Sequence, residues 1–472
     1  MFDALIIGAG PSGLAAAEEM TKNGAKVSVL EKLDRPGGLS RTVSHEGCLY
    51  DIGPHRFFTK NNEVKQLFKS VVAEDGVTVQ RLTRIFSKGH FFYYPLSPFN
   101  ALRGVGLASA LRILASYGTV KMKQWVRPRT PQNFEEWTID QFGSHLYQIF
   151  FKSYTEKVWG IPCTQIGADW AQQRIRGLNL SVVVKNALFK SKSWDSPRTL
   201  VDQFLYPRRG AGLFYEKLTR RIEDRGSHVL PLCPVVSIQR DGFRVRSVTT
   251  LGPDGKKEFE AKNFMSSAPL TETVQIMNPP APPQVLAACR SLRYRDHIGV
   301  DLKLRGVPFP DNWIYVHSKD VRMARISNYR NFSPDMADRP DVSPVTVEYF
   351  TFQNDEIWNR SDDDLIKLAT QELEQMKIIK AGQVIAGFVM RNTKAYPVIE
   401  IGFQEHINVI KAWLDQFENF QCIGRSGMFK YNNQDHAIMT GLLAARTAMG
   451  VGRYDPWLVN NEAEYLENAP AN

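Results

Sequence analysis

The chain is poor in the features that define several large protein classes. Its five cysteines, Cys48, Cys163, Cys233, Cys289 and Cys422, are odd in number, far apart and without a CxxC pair. That pattern argues against a disulfide scaffold and against a zinc site, and it suits a reduced, cytoplasmic protein with no metal. No apolar run reaches the ~20 residues that span a bilayer. The most apolar stretch, Val105 to Val120, is interrupted by Arg112. Phe2 to Gly10 reads straight into a motif strand, so no secretory signal is expected. The formal charge is +10, yet Lys and Arg are scattered rather than clustered, so nucleic acid is not an expected partner. Internal repeats and low-complexity linkers are also missing.

What is present is globular. Of 472 residues 43% are hydrophobic and 11% aromatic, enough for two or three interleaved lobes with a large ligand between them. Residues 3–8, Leu14 to Asn23 and Lys26 to Leu30 read as strand, helix and strand. From Thr130 to about Leu200 the pattern is helical, with aromatics at Phe134, Trp137, Phe142, Phe150 and Phe151. Apolar alternation returns at Val229 to Val248, Gly252 to Gly255 supplies a turn, and Ile298 to Phe352 reads as strands. Ser361 before three aspartates caps a helix, and a closing helix runs from about Ala437 to Met449. The Val105 to Val120 stretch has Leu107, Leu111, Ile113 and Leu114 on helical spacing, followed by Lys121 and Lys123. It is expected to pack as an ordinary helix, with peripheral contact to a membrane surface as the other reading.

Gly8-Ala9-Gly10-Pro11-Ser12-Gly13 is a GxGxxG placed after a strand and at the head of a helix. Gly8 allows the tight turn, Gly10 lets a pyrophosphate approach the backbone, and Gly13 allows close helix–strand packing. The phosphates then meet the positive end of the helix. Glu31 follows the second strand at the spacing of a carboxylate that accepts from ribose hydroxyls. A βαβ unit of this kind binds either FAD or NAD. The next segment, Arg35-Pro36-Gly37-Gly38-Leu39-Ser40, resembles the second glycine pair of the amine oxidase-like flavoproteins, which have a glutathione reductase-like fold. In them Glu31 would hold the FAD ribose and Gly38 would approach the pyrophosphate. Phe204 to Gly210 and Gly424-Arg425-Ser426-Gly427 are similar to stretches that close over the flavin. Asn433, Gln434 and Asp435, with His436, would open a final helix facing the isoalloxazine or ribityl chain.

Within this group the chain most resembles the UDP-galactopyranose mutases. Asp51-Ile52-Gly53-Pro54-His55 resembles the loop whose histidine lies against the flavin near N5, and Tyr94-Pro95 an aromatic element at the substrate mouth. Lys157 to Pro162, containing Trp159, is similar to a helical-lobe signature. Trp170 to Ile175 with Asn179-Leu180 resembles the segment whose arginine, here Arg174, contacts the nucleotide diphosphate. The resemblance assigns Arg322, ahead of Ile326 to Tyr329, as the second diphosphate arginine. Trp313 and Tyr315, Tyr396 and Tyr431 would complete the substrate site.

The resemblance implies an α/β fold: a Rossmann-like FAD domain from discontinuous segments (1–95, 201–275 and 411–472), a helical lobe (96–200) and a β-sheet substrate domain (276–410). It also implies that His55, Arg174 and Arg322 serve a mutase acting on a UDP-sugar. Such an enzyme interconverts pyranose and furanose by attack of reduced flavin N5 on the anomeric carbon, with NAD(P)H as a candidate electron donor, and serves polysaccharide biosynthesis. Two arginines with tyrosine hydroxyls suit a diphosphate on physical grounds too. Arg56-Phe57-Phe58, Thr155 and Leu96-Ser97 depart from the family pattern around the sugar. An FAD oxidase or dehydrogenase of the amine oxidase or protoporphyrinogen oxidase type therefore stays as the alternative, with a non-enzymatic flavin-binding protein behind it. The oligomeric state is left open.

Overall fold

The strand Phe2–Ile7 ends in four consecutive buried residues, the mark of a parallel strand covered on both faces. In the computed structural model, which describes residues 1–94, 106–168, 170 and 203–460, this strand is central to a parallel array. Val27–Leu30 pairs with it on one side and the end of Gly255–Ser266 on the other. His228–Leu230 and Phe420–Cys422 extend the two edges. One Rossmann-like unit is thus assembled from segments more than 400 residues apart in numbering. The first half of Gly255–Ser266 is antiparallel to Arg244–Gly252, which pairs in turn with Val235–Asp241, so one long strand serves two hydrogen-bonding patterns.

The first helix, Pro11–Lys22, starts with proline at its first position and carries Ala15, Ala16 and Ala17, all fully buried. Small residues let the closing helix, Gln434–Ala448, lie directly on it. A Cβ at Gly441 would stand 2.1 Å from the Ser12 carbonyl oxygen, so glycine is required at this crossing. The apolar faces of both helices form one core with Ile6, Val27 and Val29.

A second sheet has seven strands, in the order Val384–Pro397, Tyr294–Arg305, Val342–Thr351, Arg325–Asn328, Trp313–Val316, Thr83–Ser87, His90–Tyr93. All neighbours are antiparallel except Trp313–Val316 with Thr83–Ser87. Residues 83–93, read from sequence as part of the first nucleotide-binding segment, therefore belong to the second sheet. The reason is long-range pairing, which no local pattern announces. Asp362–Gln375, capped by Ser361, packs on this sheet through Leu365, Ala369 and Leu373. The helical lobe holds Leu107–Val126, Phe134–Phe142 and Lys152–Trp159. Among the described residues no helix is long and apolar enough to cross a membrane.

Candidate functional site

The glycine-rich turn fits a dinucleotide. Gly8 has φ +97°, and a Cβ on it would sit 2.3 Å from Ser267 Oγ; one on Gly13 would sit 1.9 Å from the Gly8 carbonyl oxygen. A Cβ on Gly10, by contrast, would meet no heavy atom within 4 Å. Two glycines are demanded by packing, while the third faces open space at the amino end of the first helix, where a phosphate would stand. Glu31 is buried, and its two oxygens accept from the Ala9 and Leu33 amides at 2.7 and 2.8 Å. These bonds fix the carboxylate beside the cradle and leave it lone pairs for ribose hydroxyls. Gly37 donates to the Ala9 carbonyl at 2.8 Å, and a Cβ on Gly38 would lie 3.3 Å from Gly10 Cα, so the two glycine loops touch. Gly424, also at positive φ, packs against Ser12 and donates to Thr440 Oγ1 at 2.9 Å. Gln434 accepts from the Tyr215 hydroxyl at 2.7 Å, and Asn433 caps the closing helix, with Asp435 buried in its first turn.

The loop from Asp51 to His55 joins this cradle to the second sheet. Asp51 is completely buried; Thr42 Oγ1 donates to it at 2.6 Å, Tyr206 OH at 2.7 Å and the Ala211 amide at 3.1 Å. Burial outweighs these donors and raises its carboxyl to about 6. The Phe204 to Gly210 segment thus anchors the loop from beneath. His55 Nε2 lies 2.8 Å from the Leu39 carbonyl oxygen in the second glycine loop. A carbonyl only accepts, so Nε2 carries the proton. Burial, opposed by that bond and reinforced by Arg325, pushes the imidazole down to about 4, leaving it neutral at pH 7.

Behind Gly53 lies Arg325, whose Nη2 would stand 2.9 Å from a Cβ at that glycine. Strand register sets Arg325 opposite Glu348. Nε and Nη2 grip the two carboxylate oxygens, Nε to Oε1 at 2.6 Å, with Glu348 fully buried. Burial opposes both charges, but each partner overrides it: Glu348 falls to about 2 and Arg325 is held protonated well above its usual range. Glu348 also meets His297 Nε2 at 2.9 Å, His297 meets Asn392, and Asn392 accepts from Arg41, which in turn donates to the Gly38 carbonyl. One buried polar chain therefore connects the second glycine loop to Arg325.

Aromatic rings surround these groups. Arg425 lies over Tyr396 and Tyr431 at 4.3 and 4.4 Å, and its buried Nε and Nη2 have no hydrogen-bond partner among the described residues. Orphaned guanidinium donors are costly, and they fit an anionic or carbonyl-bearing group at this place. Tyr431 packs on Trp159 at 5.8 Å, and Tyr315 contacts both Tyr94 and Tyr154, at 5.1 and 5.6 Å. The Arg325 and Glu348 charges both bear on the Tyr154 and Tyr396 hydroxyls, which burial pushes up.

Several sequence expectations look different against this geometry. Arg322 is a surface residue, 55% exposed and paired with Glu356 at 3.2 Å; the guanidinium buried beside the Gly53 loop is Arg325, 15% exposed. Arg322 precedes the strand, in the connection after Trp313–Val316, whereas Arg325 opens Arg325–Asn328 and is aimed by its pairing. Trp313 is a core side chain packed between Phe204 and Phe332 under Arg81, and Trp159 is likewise buried against Trp170. Both are supports for neighbouring tyrosines rather than open surfaces. Arg174 and Asn179, like Leu96 and Ser97, lie outside the described residues. Arg41, Tyr154, His297, Arg325, Glu348 and Asn392 were not singled out. A lone glutamate inside the wholly buried strand Val342–Thr351 was the available signal, because a buried carboxylate needs a partner.

The flavin containing amine oxidoreductase family model matches residues 11–446. A probable UDP-galactopyranose mutase of Klebsiella pneumoniae is 28% identical over 179 residues, 35% of this chain and 43% of that protein, so the match spans under half its length. A chloroplastic protoporphyrinogen oxidase of Nicotiana tabacum is 21% identical over 93% of this chain and 83% of its own length. The crystal structure of reduced UDP-galactopyranose mutase superposes with a TM-score of 0.84, covering 98% of this chain and 99% of that one at 22% identity, which establishes a shared fold. With a flavin-type dinucleotide cradle and a family match running through nearly its whole length, this chain belongs to the flavin containing amine oxidoreductase family.

Proposed function

We propose that the chain is an FAD-dependent mutase that interconverts the pyranose and furanose forms of a UDP-sugar. The observation that carries this reading is Arg325, a buried guanidinium locked by Glu348 and set directly behind the loop that brings His55 to the glycine cradle. Glu348 occupies Nε and Nη2, which leaves Nη1 to donate to a phosphate oxygen. Arg325 thereby takes the role expected of Arg322, with Arg174 as its candidate partner on the diphosphate. Tyr315, Tyr396 and Tyr431 add hydroxyl donors without adding charge, and Tyr94 stands at the rim, 39% exposed. Holding the diphosphate this way fixes the sugar relative to the cofactor and stabilises the charge that builds on the departing phosphate.

What bound FAD supplies, once reduced, is a nucleophilic N5 for the anomeric carbon, with no net redox change. The protein's part is to hold His55 neutral, donating to Leu39, so that no second positive charge competes with Arg325 for the diphosphate. NAD(P)H is the donor proposed for the initial reduction.

The amine oxidoreductase match and the long alignment with protoporphyrinogen oxidase favour a second reading, a net oxidase. Dithionite-reduced holoprotein is expected to convert UDP-galactofuranose to UDP-galactopyranose, with the oxidised form inactive. Turnover of an amine or porphyrinogen by the oxidised form, with peroxide released, would overturn the mutase reading. Failure of any UDP-sugar to perturb the flavin spectrum would favour a flavin-binding protein without this activity.

A further inference from the structure

Among the described residues, the helix Leu107–Val126 packs on the lobe by one face. Ile113 is 1% exposed on that face. A Cβ at Gly143 would stand 2.8 Å from Ser116 Oγ and from the Tyr117 amide, and Lys121 donates to the Asp140 carbonyl at 2.9 Å. The opposite face is apolar and open: Leu111 is 59% exposed, Leu114 40%, Met122 66%, Trp125 87% and Val126 68%. With Ala115 and Gly118 between them, these residues fill a continuous arc of about 120° at the helical 100° per residue. Singly exposed apolar residues are ordinary, but a contiguous arc ending in a tryptophan marks an interaction surface.

Charge decides between occupants. From Leu107 to Phe134 there is no Asp or Glu, while Arg112, Lys121, Lys123, Arg127 and Arg129 are all basic. Arg112 and Lys123 fall beside the apolar arc, both exposed, where long side chains can bury their stems and lift their charges to phosphate level. A symmetric contact with a second copy would press two acid-free basic helices together. We infer that this helix lies in the surface of an anionic lipid bilayer, with Leu111, Met122 and Trp125 inserted and Arg112 and Lys123 on the lipid phosphates. One amphipathic face with a basic flank gives reversible rather than permanent attachment.

Full-length holoprotein is floated with vesicles of phosphatidylcholine alone and of phosphatidylcholine mixed with phosphatidylglycerol. Binding is expected to the mixed vesicles only and to weaken as salt is raised. Arg112→Gln with Lys123→Gln is expected to lower partitioning about thirtyfold, given about 1 kcal/mol for each of the two basic side chains near an anionic surface. Leu111→Ser, Met122→Ser and Trp125→Ser together are expected to abolish it. These positions are exposed, so an unchanged flavin spectrum should accompany both variants and separates lost docking from lost folding. Absence of binding, binding indifferent to lipid charge, or a solution dimer that the triple variant dissociates would each overturn the proposal, the last by assigning the face to a second copy.

Discussion

The glycine cradle and the cluster around Arg325 are built by different means. Around Gly8, Gly10 and Gly13 the site is main chain: what matters is where side chains are missing, and the spacing is local. Around Arg325 it is side chains brought together by the register of distant strands. The first half is intolerant of added atoms and the second of lost charges. Gly13→Ala tests the first claim most severely. Its Cβ would fall 1.9 Å from the Gly8 carbonyl, so the variant is expected to lose about 4 kcal/mol or more and fail to accumulate as folded protein. Gly10→Ala, with open space around its Cβ, should fold with a near-normal circular dichroism melt yet purify without flavin. A yellow, flavin-loaded Gly10→Ala protein would break the assignment of that space to a phosphate.

In the cluster around Arg325 the largest effect is expected from Glu348→Gln. It leaves Arg325 buried without its counter-charge, at a cost of about 3–5 kcal/mol, read as a lowered denaturation midpoint. Arg325→Ala should weaken UDP binding by about 1.5–3 kcal/mol, the worth of a hydrogen bond to a charged group. Arg322→Ala, at an exposed pair with Glu356, should change both UDP affinity and stability by less than about 0.5 kcal/mol. Equal losses of UDP affinity in the two arginine variants would erase the distinction drawn between them.

The same contrast explains what could be read in advance. GxGxxG, Glu31 and the Gly37-Gly38 pair encode backbone shape within a few residues, so sequence spacing alone locates the cradle. Ser361 and Asn433 were legible for the same reason, since a cap acts on its own first turn. Arg325 depends instead on strand pairing. A shift of three residues, from Arg325 to Arg322, moves the charge from the interior to the surface, and motif similarity does not resolve an offset of that size. The polar chain through Arg41, Asn392 and His297 joins residues 41, 392 and 297, a separation that no local pattern encodes. Strands 83–87 and 90–93 were misplaced on the same account, because their partner strand begins at Trp313.

His55 sits where the two halves meet, and its pH-linked effect is nil at pH 7 and grows only in acid. Its folded pKa, about 4, lies below the ~6.5 of an unfolded histidine. Between those values the unfolded chain binds a proton that the folded protein does not. The contribution to stability is therefore fully present above pH 6.5 and is lost as pH falls through 4. A urea midpoint followed from pH 7 to pH 4 should decline, and His55→Gln, which keeps a donor for Leu39, should flatten part of that decline. If nitrogen-resolved NMR shows His55 titrating near 6.5, the imidazole is solvated, its bond to Leu39 is not maintained, and the loop does not couple the cradle to Arg325. A neutral ring down to pH 5 would support the electrostatic division of labour, in which Arg325 and not His55 meets the substrate's negative charge.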